Sequence, residues 1–328
     1  MIELRNDALH FSFPEVHPEA RCEIDFQRTL RIPDDNRDYP LPPGLGSFPM
    51  QHVDDFKDRL PTSWVRHGGV FLPMYQAEAL WVNFSGSYPC AVKIAAGKIN
   101  AVTGETWANS LSGEPQDYVV IPAQPWLDGF SIGEGLIRQF VAMPLGDGYT
   151  AEEQLTGEAK HGGLQLVVYP MKRGVYEAMH QETLDRGFGE ISFCLPEAPM
   201  ADMGLAPGGL MHQQIYEDDY GLDAWDQTAG SRCFVHITSS LSFFAITGAA
   251  PPHEPPTARQ YTDAGLPWFE YYAGDKHVLA GAAKLAALDS VAARNIKRGK
   301  GETLNNEHVS PKHVVKLVNP CAVREGEF

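Results

Sequence analysis

A mainly β chain is the fold class the sequence predicts: antiparallel strands packed as a sandwich or a barrel-like body, with short helices and a helical segment towards the C-terminus. An α+β arrangement is the alternative. Three observations carry this reading. Short runs of alternating or fully apolar residues recur along the first 240 residues. Thirty-one glycines and 25 prolines punctuate them, as frequent turns require. Few long helical patterns separate the strands, so right-handed βαβ units and a doubly wound sheet are poorly supported.

Taken in order, Leu9–Phe13 alternates apolar and polar side chains, and Cys22–Ile32 does so over most of its length, which predicts half-buried strands. Between Asp38 and Pro49 four prolines and two glycines predict a loop without regular hydrogen bonding. Val53, Phe56 and Leu60 stand at helical spacing before Pro61, and Ser63–His67 reads as a short helical turn ending at Gly68-Gly69. Strands are then expected at 70–72, 79–84 and 90–95, with Ala96-Gly97 turning the chain into a hairpin partner at 98–102. Further strands are expected at Asp117–Pro122, Leu164–Pro170, Glu190–Pro196 and Cys233–Ile237. The run Pro251-Pro252-His253-Glu254-Pro255-Pro256 is stiff and polyproline-like. Beyond it Thr257 suits the cap of a short helix, and Asp275 that of a longer one reaching Arg294, with Val278, Leu279, Ala282, Leu285, Ala286 and Ala293 on one side. The domain reading is therefore a β-rich body over 1–250, with a division near 150–160 as a variant, a linker at 251–256, a helical segment at 257–294 and a basic tail at 295–328.

The chain has 328 residues, 43% of them hydrophobic and 21% charged, the composition of a globular protein. Its net charge of −16 repels phosphate backbones, so nucleic acid is an unsuitable partner. The charge is uneven. Residues 294–328 carry seven basic against four acidic side chains, +3 in all, leaving −19 on the body. The N-terminus lacks an apolar segment after a basic start, and the uncharged run from Ile237 to Pro252 is interrupted by serines and prolines. Neither an export signal nor a membrane insertion is expected. Five scattered cysteines without a C-x-x-C pair read as reduced thiols, and with these features the expected location is cytoplasmic.

Candidate chemistry is sparse. Gly129-Phe130-Ser131-Ile132-Gly133 matches G-x-S-x-G, in which a strained strand-to-helix turn lifts a nucleophilic serine out of a sheet, and His161, His180, His212 and His236 with Asp147 or Asp185 follow as bases and orienters. With 31 glycines and 15 serines, roughly 0.13 chance matches are expected, and the preceding Pro125 and Asp128 do not suit a buried strand. No set of ligands stands at zinc spacing. His212 lies near five carboxylates between Glu217 and Asp226, and an oxygen-rich loop of this kind, with Asp218, Asp219 and Asp223, is the one weak cation candidate. No phosphate-cradling glycine pattern is complete, so no cofactor is implied. Trp126, held between Pro125 and Asp128-Gly129, suits a stiffly presented platform for a sugar or a protein partner, with Asp128 beside it.

The leading expectation is a structural or binding protein that self-associates into a homo-oligomer, with the basic tail as a docking arm. A mobile stretch through Lys300 would be steered to the acidic body, and Val314, Val315, Leu317 and Val318 would add as a strand to an exposed edge, in the same chain or a neighbour. The second is a serine hydrolase using Ser131. The third is a carbohydrate or small-ligand binder centred on Trp126.

Overall fold

The computed structural model describes residues 1–180, 202–271, 276–301 and 303–317. The strands expected at Glu190–Pro196, the cap at Asp275 and the assembly residue Val318 lie outside them, as do Asp185, Cys194 and Cys321.

The architecture is mainly antiparallel β with few short helices, and the sheet does not close into a barrel. Its strands begin with β1 (Ile2–Arg5), β2 (Ala8–Ser12), β3 (Arg21–Thr29), β4 (Asp38–Tyr39), β5 (Gly44–Ser47), β6 (Gln51–His52), β7 (Val70–Met74), β8 (Ala79–Ser85) and β9 (Cys90–Ala96). They continue as β10 (Ile99–Asn100), β11 (Val119–Ile121), β12 (Trp126–Leu127), β13 (Gly129–Gly133), β14 (Leu136–Pro144), β15 (Leu164–Pro170), β16 (Asp202–His212) and β17 (Ser231–Ser239). A separate parallel pair, β18 (Trp268–Tyr271) and β19 (Val314–Leu317), lies near the end.

One run of pairings goes β1-β2-β3-β8-β14-β16 and another goes β11-β9-β15-β17-β7. The runs meet at two rungs between β16 and β17, Asp202 with Thr238 and Met203 with Ile237. A single apolar cluster draws on both, with Phe26 and Val82 from one and Ile94, Val168 and Val235 from the other, all buried. Alternation decides which side chains go in. In β3, Cys22, Ile24 and Phe26 are buried, as the sequence pattern requires. The hairpin turn between β9 and β10 is Gly97-Lys98, both at positive φ (56° and 61°), which is the backbone a two-residue hairpin loop demands.

Three expectations are corrected. Residues 38–49 are not free of regular structure: β4 pairs in parallel with β16, and β5 with β3. The stretch 51–60 is not an α-helix but β6 followed by 3₁₀ turns over Val53–Arg59, broken at Phe56. The run Leu136–Met143, compatible by itself with helix or strand, is strand and pairs with β16.

The long helix over Lys276–Arg294 is replaced by two short ones. Helices α1 (Thr62–His67), α2 (Ala151–Thr156), α3 (Arg173–His180), α4 (Ser240–Thr247) and α5 (Ala258–Asp263) precede them; the pair itself is α6 (Ala283–Ala286) and α7 (Val291–Lys297). Alanine's helical preference amounts to a few tenths of a kcal/mol per residue, about what tertiary contacts override. Here the backbone instead bonds the body, His277 O with Glu217 N, Leu279 N with Ile215 O and Ala282 N with Ser131 O. Gly281, at φ 74°, lies so close to Gly133 that a Cβ would sit 2.2 Å from its nitrogen. Ser290 then caps α7. Thr257 does cap α5, completing a capping box with Gln260.

The proline run is pinned to the sheet. Arg28 Nη2 donates to His253 O (2.7 Å) and Tyr75 Oη to Pro252 O (2.9 Å). The basic stretch through Lys300 is not a free linker either, because the Arg298 and Lys300 cations lie 5.0 and 5.2 Å from the Tyr149 ring. Asn306 exchanges two hydrogen bonds with the backbone of Asp34 (2.7 and 3.0 Å). Strand β19 then pairs with β18 of its own chain, Trp268 opposite Val314 and Tyr271 opposite Leu317. Ending the chain at Gly301 is therefore expected to lower thermal stability and leave the particle mass unchanged in light scattering. A fall in mass would show the strand passing between chains.

Among the described residues no helix is long and apolar enough to cross a membrane. Cys22, Cys90 and Cys233 are buried free thiols, and burial pushes the Cys233 thiol up to about 12, which makes it a poor nucleophile.

Candidate functional site

Trp126 is fixed by its neighbours before it meets anything else. It opens β12, paired with Asn83 of β8, and Pro125 stiffens the approach. Two buried amides, Gln124 and Gln213, donate to its carbonyl at 2.9 and 3.1 Å. Its indole N–H donates to Asp128 Oδ2. Asp128 is only 3% exposed, and burial pushes its carboxyl up to about 7, with the indole bond pulling the other way. It braces the ring from inside the protein. The indole stands edge-on to Tyr271 (4.8 Å between ring centres) and to Trp81 (6.0 Å), favoured geometries for aromatic pairs.

Tyr271 carries this aromatic corner into a larger space. A cleft of about 670 Å³ runs between Leu41 and His212 on the body, Phe269 and Tyr271 on β18, and Val314 and Leu317 on β19. A small hollow lined by Trp126, Gln124 and Tyr216 shares Leu41, His212 and Tyr271 with it. The floor strand is anchored by two backbone bonds between Leu41 and Phe269 (2.8 and 2.9 Å). His212 Nε2 meets Asp38 Oδ2 at 2.5 Å at the rim, both side chains more than half exposed. A backbone N–H of its own residue and then His212 hold the Asp38 carboxyl below its usual value. Glu270 and Lys316, 3.8 Å apart, complete the polar edge. His212 and the tail strand, distant in sequence, thus line one volume, and Trp126 lines the hollow beside it.

The serine candidate fares differently. Gly129–Gly133 is strand β13 of a hairpin with β14, Ser131 opposite Ile137, and the register breaks between Ser131 and Gly133. No helix follows, so the strand-to-helix elbow that the motif needs is absent. Gly129 is small for another reason: a Cβ there would lie 2.0 Å from Arg138 O. Ser131 is 1% exposed, its N–H donating to Ala101 O and its carbonyl accepting from Ala282 N. The proposed bases are engaged elsewhere: His212 with Asp38, His236 Nε2 with Gly68 O at 3.1 Å, and His161 beside His67. Asp147 accepts from Arg298 through its carbonyl. The side chain of His180 lies outside the described residues.

Hydrogen bonds build the acidic loop. Asp218 Oδ2 accepts from Tyr118 Oη (2.6 Å) and Trp225 Nε1 (2.8 Å), and Oδ1 accepts from Tyr220 N (2.8 Å). Asp219 and Asp223 are exposed. His212 is not brought to them, and among the described residues no three His, Cys, Asp or Glu side chains are grouped to hold a metal.

Sequence reasoning missed Tyr271 and Leu41. The aromatic run Trp268-Phe269-Glu270-Tyr271 was the available signal for β18. Compared with known proteins, the chain matches no family model, no curated protein and no solved structure.

Proposed function

We propose that the chain is a binding protein whose cleft between β18–β19 and the body takes a carbohydrate. The observation that carries this reading is the single volume shared by Tyr271, Phe269, His212 and Asp38, with Trp126 bracing its inner end. A sugar has an apolar C–H face and a rim of hydroxyls; aromatic rings suit the first, and a carboxylate–imidazole pair and the Glu270–Lys316 pair suit the second. About 670 Å³ lies within the usual size range of small-ligand clefts, ~300–1,000 Å³. The tail contributes one wall, which supports a role for β19 in completing a site over one as a free docking arm.

The test is a titration of intrinsic tryptophan fluorescence with neutral oligosaccharides, since Trp126 touches Tyr271 in the cleft wall. A saturable change is expected with at least one sugar, weakened about tenfold or more by Tyr271→Ala, in line with the ~1.4 kcal/mol that tenfold represents. No response across gluco-, galacto- and N-acetylated series, with the variant folded, removes the carbohydrate reading.

A further inference from the structure

On the other side of the tail crossing, a second cleft of about 400 Å³ is bounded by Thr262 and Leu266 near α5 and by His308, Ser310 and Lys312 of the tail. We propose that Ser310, His308 and Asp35 form a hydrolytic triad at this cleft, acting on short-chain carboxylic esters. Ser310 Oγ lies 3.1 Å from His308 Nε2, and His308 Nδ1 lies 3.1 Å from Asp35 Oδ2. This is the order of contacts a serine nucleophile needs: hydroxyl to one ring nitrogen, carboxylate to the other. The chain order Asp35, His308, Ser310 carries no motif, and a triad is recognised by geometry and roles.

The surroundings fix the imidazole as a base. Arg37 Nη1 stands 2.9 Å from His308 Nε2, and a guanidinium can only donate, so Nε2 carries the lone pair. The ring proton is then on Nδ1, facing Asp35 Oδ2 and, at 2.8 Å, Tyr39 Oη. Tyr39 Oη in turn donates to Asp35 Oδ2 (2.8 Å), and the Arg37 N–H donates to Asp35 Oδ1 (3.1 Å). Tyr39 is 2% exposed, so the carboxylate is held against a packed ring. Asn306 separately clamps the tail to Asp34.

In the reaction, Ser310 Oγ forms a bond to the acyl carbon as its proton passes to His308 Nε2. The ester C–O bond breaks, and the alkoxide takes that proton and leaves as the alcohol. Water then forms a bond to the acyl carbon as it gives one proton to Nε2; the acyl carbon–Oγ bond breaks, Nε2 returns that proton to Ser310 Oγ, and the carboxylic acid leaves. The net change is ester plus water to acid plus alcohol, with no other reactant. Arg37, 63% exposed, must first swing off Nε2 so that the lone pair can take the Ser310 proton, and in doing so can reach the carbonyl oxygen where charge develops. Asp35 touches no reacting atom and is a positioning residue.

The test is labelling of the full chain by a fluorophosphonate probe, together with hydrolysis of p-nitrophenyl acetate. One probe per chain is expected, retained in Ser131→Ala and lost in Ser310→Ala and His308→Gln. Hydrolysis should fall at least about 100-fold in both of the latter, with the melting temperature of Ser310→Ala unchanged because the side chain is exposed. Asp35→Asn should lower kcat and leave KM unaltered, a split that loss of tail docking would not produce. Absence of labelling in the wild-type chain, or labelling that survives Ser310→Ala, overturns the triad.

Discussion

Asp218→Ala is expected to lower unfolding free energy by about 3–5 kcal/mol, because hydrogen bonds to a charged acceptor are worth ~1.5–3 kcal/mol each and the two buried donors lose theirs together. Those donors are the Tyr118 hydroxyl and the Trp225 indole, on rings that are each 1% exposed. Asp219→Ala and Asp223→Ala, whose side chains face solvent, should each stay within about 0.5 kcal/mol of the wild type. Urea denaturation of the three variants separates them. Millimolar Ca²⁺ or Mg²⁺ should leave all three curves where they are. A stabilisation by cation that disappears with Asp219 or Asp223 would restore the ion-binding reading of this loop.

The second large effect concerns a buried ion pair. Arg28 meets Glu78 Oε1 at 2.6 Å, with their side chains 9% and 1% exposed. Removing one partner of such a pair typically costs ~3–5 kcal/mol, because the other charge is left without compensation. Arg28→Met should show that cost at pH 8, and Arg28→Met/Glu78→Gln should recover much of it. The pH dependence has a definite sign. Burial is the largest influence on Glu78 and pushes its carboxyl from 4.5 up to about 7, against the pull of Arg28. The folded chain therefore keeps this proton up to about pH 7, whereas the unfolded chain releases it near 4.5. Stability from this group is fully present below 4.5 and is lost as pH rises through 7. Without Arg28 the folded carboxyl holds its proton to still higher pH, so the variant's deficit should shrink when denaturation is repeated at pH 5. A deficit equal at pH 5 and pH 8 would mean that Arg28 acts through packing and its bond to His253.

The strands were legible because their pattern is local. Alternation at Cys22, Ile24 and Phe26 needs no knowledge of the partner strand, and the run from Val314 to Val318 between Pro311 and Pro320 reads as β-prone by itself, of which Val314–Leu317 is strand. Thr257 with Gln260 three residues on is a cap that works within one turn. What failed was long-range. The alanine-rich stretch after 276 looks helical on its own, and only the carbonyls of Ile215 and Ser131 and the N–H of Glu217 pull it straight. G-x-S-x-G is shared by an elbow and by this hairpin; Pro125 and Asp128 argued locally against the elbow, and the pairing of β13 with β14 excludes it. The first cleft joins residues 41, 212, 271 and 314, and the second joins 262 and 308, with Asp35 bonded to His308. No window of sequence contains either set, so their chemistry becomes visible only when the sheet edge and the tail are placed together.

The two runs of the sheet are interleaved along the chain, and this bears on how the protein reaches its fold. Strand β8 belongs to one run and β9 to the other; β11 returns to β9, and β12 goes back to β8. Strand β7 waits for β17, more than 150 residues downstream in the sequence. No contiguous segment can therefore finish its own sheet as it leaves the ribosome, and early strands must keep unpaired edges until late ones arrive. Closing such large loops is slow, on the scale of milliseconds to seconds for β proteins of much smaller size. In that interval the exposed edges of β7, apolar throughout, and of β9, apolar except at Lys93, are open to the wrong partners, so refolding yield should fall steeply with protein concentration.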